Sequence, residues 1–175
     1  MLGGMQSHDK VQVPPRYARI NAWVISHDTD AELRFLASVF GAVETPGSRM
    51  LDQDGAIGHV EVELGDSVIM LFDAKAGWAS TPAHLRVYVG DVAATVERAV
   101  ATGARLVTRP TLLAFGERVA RVRDPQGHLW WLHERVEDVS PDELGSRFAD
   151  PSALAAMAYV QRSLHEELGA EAKRQ

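Results

Sequence analysis

Apolar residues along this chain recur with a period of two, then at helical spacing, then with a period of two again, and the whole order is used twice. The run Ala18 to Ser26, "ARINAWVIS", predicts a strand, and "HDTD" after it offers Asp28 or Thr29 as a helix N-cap. Leu33, Leu36, Val39 and Phe40 then fall at helical spacing until Gly41 closes the segment. Beyond a Pro/Gly-marked loop, Val60, Val62 and Leu64 alternate with His59, Glu61 and Glu63, and "GD" turns the chain into a second apolar run, "SVIMLFD". That is a hairpin signal. "HLRVYVGDVAATVERAVATGARLV" repeats strand, Asp-led cap, helix, glycine stop and strand, and "GERVARVRDPQGHLWWLHE" repeats strand, turn, strand. Asp28 and Asp91 stand 63 residues apart, and Gly41 and Gly103 stand 62 apart.

A repeat of this length means two copies of one unit packed together. With a further strand in each copy ("ETPGSRML" and "VTRPTLLAF"), both halves read βαβββ. The expected organisation is a flexible lead-in over 1–17, one domain over 18–137 with repeats at about 18–75 and 82–137, and a helical extension over 138–175. "VPPR" marks the end of the lead-in, since paired prolines resist helix and sheet interior. "SPDEL" opens the extension with Pro in the first turn, and Ala153 to Leu168 is amphipathic.

Composition narrows the chemistry. The 175 residues are 46% hydrophobic and 24% charged, ordinary for a globular chain. A net charge of −6 without a dense basic run argues against a nucleic-acid partner. No apolar stretch approaches the roughly 18 residues that span a bilayer, and "MLGGMQSHDK" has no apolar signal region. The expectation is a cytoplasmic protein without a membrane partner. With no cysteine, disulfides, thiol nucleophiles and Cys-held metals are excluded. "GDS" at 65–67 is too short for a phosphate loop, and no Ser-His-Asp grouping has a local signature.

The doubled βαβββ order, "GDSVIML", "YVGDVAATVERAVATGA" and "DPQGHLWWL" together resemble the vicinal-oxygen-chelate superfamily, over roughly residues 18–140. That superfamily includes glyoxalase I, extradiol dioxygenases, methylmalonyl-CoA epimerase and bleomycin-resistance proteins. "FGER…VRDPQGH" and "VEDVSPDEL" look like a bacterial glyoxalase-like branch. The resemblance implies an α+β fold in which two tandem βαβββ modules form a curved mixed-sheet cup, and it implies a homodimer. In the family's metal enzymes, four strands each supply one inward ligand, commonly His or Gln, Glu, His and Glu. The matching positions here are Asn21, Met70, His84 and Trp131. Only His84 suits a divalent cation, because a thioether is a poor partner for one and an indole offers no lone pair. No metal and no other cofactor is expected.

Strand alternation places Asn21, Trp23 and Ile25 on one face, and likewise His84, Arg86 and Tyr88. With Met70, Phe72, Leu129, Trp131 and His133 they would line the cup, as an aromatic small-molecule site or as a collapsed core. Arg86 can grip a ligand carboxylate or pair internally, for instance with Glu61. His84 is the candidate general base of an enzyme reading. His59 and Glu61 can form an acid–base or chelating pair, though a solvated strand face is expected. Glu117 and Arg118 fall near the cup mouth, as an ion pair or as a substrate contact, and "DPQG" before His128 reads as turn chemistry. Three functions remain: a metal-free protein sequestering an aromatic or amphipathic ligand, a lyase, isomerase or dioxygenase using a metal or His84, and a vestigial dimerisation partner.

Overall fold

A computed structural model describes residues 12–172. Residues 12–17 hold no helix or strand, yet Arg16 and Tyr17 are tied to the first sheet through Glu63, Thr45 and Glu61. The flexible lead-in expected over 1–17 is therefore anchored at its end, and its first eleven residues lie outside the described ones.

The first module runs β1 (Ala22–Ser26), α1 (Thr29–Phe40), β2 (Val43–Glu44), β3 (Met50–Leu51), β4 (Ile57–Leu64) and β5 (Ser67–Asp73). The second runs β6 (His84–Tyr88), α2 (Val92–Ala101), β7 (Arg105–Leu112), β8 (Glu117–Arg123) and β9 (Leu129–Arg135). Asp28 caps α1 by accepting from Ala31 N, and Asp91 caps α2 by accepting from Ala94 N. Gly41 ends α1 in the left-handed region at φ 71°, which a side chain would disfavour. In each module the first and last strands pair in parallel, β1 with β5 and β6 with β9, while the remaining pairs are antiparallel. The strand orders are β1-β5-β4-β2, with β3 also on β4, and β6-β9-β8-β7.

Two mixed sheets therefore build the fold, and no strand ladder among the described residues joins them. They are joined through their helix-covered faces. Val24, Leu36, Val39, Val60 and Leu71 of the first module share one buried cluster with Val87, Val122, Trp130 and Leu132 of the second. Burial of this kind contributes roughly 1.5–3 kcal/mol per large apolar side chain. The opposite face of each sheet carries the alternate residues.

The extension forms α3 (Pro141–Phe148) and α4 (Pro151–Ala172). Ser140 and Glu143 make the reciprocal capping box that starts α3. α4 folds back on its own chain, across β7 and β8 of the second sheet. Val160 packs on Leu113 and Val119, Ser163 Oγ meets Thr108 Oγ1 at 2.8 Å, and Glu167 binds Arg105 and Arg123. No helix among the described residues is long and apolar enough to cross a membrane.

Candidate functional site

On the first sheet, the face away from α1 gathers Trp23 of β1, His59 and Glu61 of β4, and Met70 and Phe72 of β5. Register sets this grouping, with Trp23 opposite Met70 and Glu61 opposite Met70. Trp23 meets both His59 and Phe72 edge-on, with ring centroids 5.4 Å apart in each pair, and Phe72 meets Trp78 at 6.1 Å. Trp23 and Trp78 nevertheless remain 51% exposed. The His59 and Glu61 face is not the solvated one expected. Glu61 is buried, and it accepts hydrogen bonds from Tyr17 and from His59 Nε2 at 3.3 Å. The Tyr17 bond leads in holding its carboxyl below the usual range, against the upward push of burial. Asn21 closes a local turn instead: its amide oxygen accepts from Ala18 N at 3.0 Å and its NH2 donates to Ala18 O at 2.7 Å.

The second sheet's matching face is polar. Glu117 of β8 is buried and sits among Arg86, Tyr88, His133 and Arg135. Arg86 Nη2 lies 3.0 Å from Glu117 Oε2, so its internal partner is Glu117 and not Glu61. Burial pushes the Glu117 carboxyl upward, but hydrogen bonds from His133 and Tyr88 and the Arg86 charge outweigh it and keep the group ionised. Glu117 and Arg118 are not a pair, because β8 alternates: Arg118 turns to the other face and binds Glu134 at 2.7 Å. His133 Nδ1 lies 2.7 Å from Glu117 Oε2, and burial lowers its pKa, so the neutral ring donates from Nδ1 and keeps its lone pair at Nε2. His84, expected as the base, is exposed and has no side-chain hydrogen-bond partner among the described residues to orient it. No hydrogen bond, ion pair or ring contact among the described residues links the Trp23 set to the Arg86 set.

Trp131 stands in register between Arg86 of β6 and Arg121 of β8. The Arg121 guanidinium carbon lies 3.9 Å from its ring centroid. This stacking occupies the position that the sequence resemblance matches to a metal ligand. Asn21 is committed to its turn, Met70 offers a thioether, Trp131 offers nothing, and a guanidinium lies against its ring. With His84 left as the one plausible ligand of the four matched positions, the set does not fit a divalent cation.

The buried trio Glu32, Asp124 and His128 brings its ligand atoms within 4.8 Å of one another, between α1 and the β8–β9 turn. His128 is thus a buried junction residue, beyond the turn chemistry expected of "DPQG". Ala83 N–H donates to His128 Nδ1 at 3.0 Å, which places the neutral ring's proton on Nε2, facing Ser26 Oγ at 3.2 Å. Neither nitrogen keeps a free lone pair for a cation.

Arg121 escaped the sequence reading, although "ERVARVR" places it in phase with Glu117 and Arg123 on one strand face. The groove of about 860 Å³ at the end of α1 is lined by Arg86 and Tyr88, with Asp66, Asp91 and Arg98 on its other walls.

Comparison with known proteins now identifies the fold. Residues 22–133 match the family described as a glyoxalase-like domain.

The chain belongs to this glyoxalase-like family, within the vicinal-oxygen-chelate superfamily. Uncharacterized proteins of Mycobacterium bovis and Mycobacterium tuberculosis are 29% identical over 132 residues, spanning 69% of this chain and 86% and 76% of theirs. TioX from Micromonospora sp. superposes with a TM-score of 0.55 at 25% identity, over 67% of this chain and 98% of its own. The fosfomycin resistance protein FosX from Listeria monocytogenes, in a complex with Mn(II) and sulfate, gives 0.52 at 18% identity, over 72% and 95%. At that identity it is similar in fold alone. The α+β architecture of the glyoxalase-like fold thus stands on sequence and structure together.

Proposed function

We propose that this glyoxalase-like chain binds an aromatic or amphipathic small molecule on the sheet faces turned away from α1 and α2, without a metal and without covalent chemistry. The observation that carries this reading is the open aromatic set. Trp23 and Trp78 are half-exposed while both touch Phe72, so a flat ligand can cover them at little conformational cost. Met70 at the base of this set and His84, Arg86, Tyr88, Trp131 and His133 on the second sheet complete the proposed lining. The mismatch of Asn21, Met70 and Trp131 with a cation supports the metal-free part. The exposed apolar surface at Trp23, Trp78 and Ile20 supports a homodimer that covers part of it.

The test is titration with the neutral fluorescent probe N-phenyl-1-naphthylamine. Binding with tryptophan quenching, weakened at least tenfold by Trp23→Ala, is expected. Equal affinity in the variant would sink the reading, and so would metal-dependent turnover. Sedimentation should give twice the chain mass.

A second reading, a metal-free enzyme, is favoured by the Glu117–His133 pair. A carboxylate orients Nδ1 and leaves Nε2 as the base, the arrangement a general base needs. In that case His133 takes the role that His84 was expected to fill, and His133→Gln would abolish turnover while leaving the melting temperature near that of the wild type.

A further inference from the structure

Arg121 is 6% exposed and has no carboxylate partner among the described residues. Two residues along the same face of β8, Arg123 is 9% exposed and lies 2.5 Å from Glu167. The nearby acids are spoken for: Glu167 by Arg105 and Arg123, and Glu117 by Arg86, His133 and Arg135. Arg121 Nη1 donates to Thr108 Oγ1 at 3.1 Å and to Val160 O at 2.9 Å, both neutral acceptors, while its buried Nε has none. The indole Nε1–H of Trp131, against which Arg121 stacks, is likewise buried without an acceptor. Two orphan donors on stacked groups, one of them a cation, amount to unmet demand for a negatively charged acceptor. Burial without an anion draws the guanidinium pKa down to about 10.

We propose that Arg121 and the Trp131 N–H form an oxyanion subsite, taking a carboxylate- or phosphate-type group of the bound molecule. This rests on the small-molecule reading and names the chemical class of its ligand. Register gives the site a direction: Arg86, Trp131, Arg121 and Thr108 stand opposite one another on β6, β9, β8 and β7. Arg86, half-exposed, is the open end of this row. Arg121 is the closed end, roofed by α4. A ligand enters over Arg86, lays its apolar body on Trp131, and brings its anionic end to Arg121.

The test is binding of sodium benzoate against its neutral isostere benzamide, followed by the indole N–H resonances, with Trp131→Phe assigning that of Trp131. Benzoate should shift the Trp131 signal and benzamide should not. Arg121→Met should raise the benzoate Kd at least tenfold while leaving the naphthylamine probe's Kd within threefold. Trp131→Phe keeps the stacking surface but removes the N–H, and should weaken benzoate several-fold even where Arg121→Met fails to fold. Equal response to benzoate and benzamide, or benzoate binding unchanged in both variants, overturns the subsite. If the probe still binds in that case, the small-molecule reading survives; loss of probe binding in the wild type overturns that reading separately.

Discussion

Glu32, wholly buried on α1, faces Asp124 across the boundary between the modules, and Asp124 is already satisfied by three N–H donors. Those donors are Gln126 N, His128 N and the Trp130 indole, at 2.9, 2.8 and 2.7 Å. Both Glu32 oxygens lack a donor, so Glu32 must itself donate, as a neutral acid, to the Asp124 carboxylate. Burial first, then the Asp124 charge, pushes its pKa up to about 9.

The pH consequence follows from linkage. The folded pKa lies above the unfolded value of 4.5, so between 4.5 and about 9 the native state holds a proton that the unfolded chain has lost. Stability then falls as pH rises through that window, on the order of 1.4 kcal/mol per pH unit from this group. Glu32→Gln, neutral at every pH, should melt near the wild type at pH 4.5 and higher than it at pH 8. A lower melting temperature at pH 8 would mean that the site needs an ionised carboxylate.

Glu117 has the opposite sign. Its folded pKa is depressed, so its stabilisation is present above the unfolded carboxylate range and is lost as pH falls through the folded value. Glu117→Gln should cost about 1–3 kcal/mol at pH 7, because Arg86, His133 and Arg135 lose their shared carboxylate. The difference from the wild type should shrink toward acid in urea melts. A pH-independent difference would assign the loss to packing alone.

Gly116 separates two costs that glycine positions usually confound. At φ 82° it disfavours any side chain, and a Cβ there would lie 2.4 Å from Glu137 O. Gly65, at φ 62°, has open space around it. Gly65→Ala should cost about 1 kcal/mol from backbone strain alone. Gly116→Ala should cost at least about 2 kcal/mol, since the backbone after β9 must also move. Equal losses in denaturant melts would contradict the close approach.

The repeat was readable because each module obeys local rules: Asp28 and Asp91 as caps, Gly41 as a stop, and alternation in β4 and β5. The same alternation correctly grouped Trp23 with Phe72 and Arg86 with Tyr88. Partners were harder, because they lie far apart in the chain. Arg86 meets Glu117 across 31 residues and Glu32 meets Asp124 across 92, and period alone cannot choose among acids on neighbouring strands. His84 drew notice as the sole plausible cation ligand of four. His133, one strand over, has the carboxylate that orients it. The docking of α4 was also beyond local pattern, since an amphipathic stripe fits its own domain or another chain equally well.

That docking turns on Glu167, which lies 2.7 Å from Arg105 and 2.5 Å from Arg123. The Arg105 hydrogen bond leads in lowering its pKa, burial opposes it, and Arg123 adds to the lowering. The helix is otherwise held by the small cluster around Val160, separate from the main core, and by the Thr108–Ser163, Arg109–Tyr159 and Arg121–Val160 hydrogen bonds. Glu167→Ala should therefore release α4 without melting the two modules. Hydrogen exchange over 151–172 should rise at least tenfold, while the amides of β4, β5 and β9 keep their protection. The same release should occur in the wild type as pH falls through the folded pKa of Glu167, and it should expose Arg121. Loss of protection in β9 together with α4 would show instead that the helix is an integral part of the second module's fold.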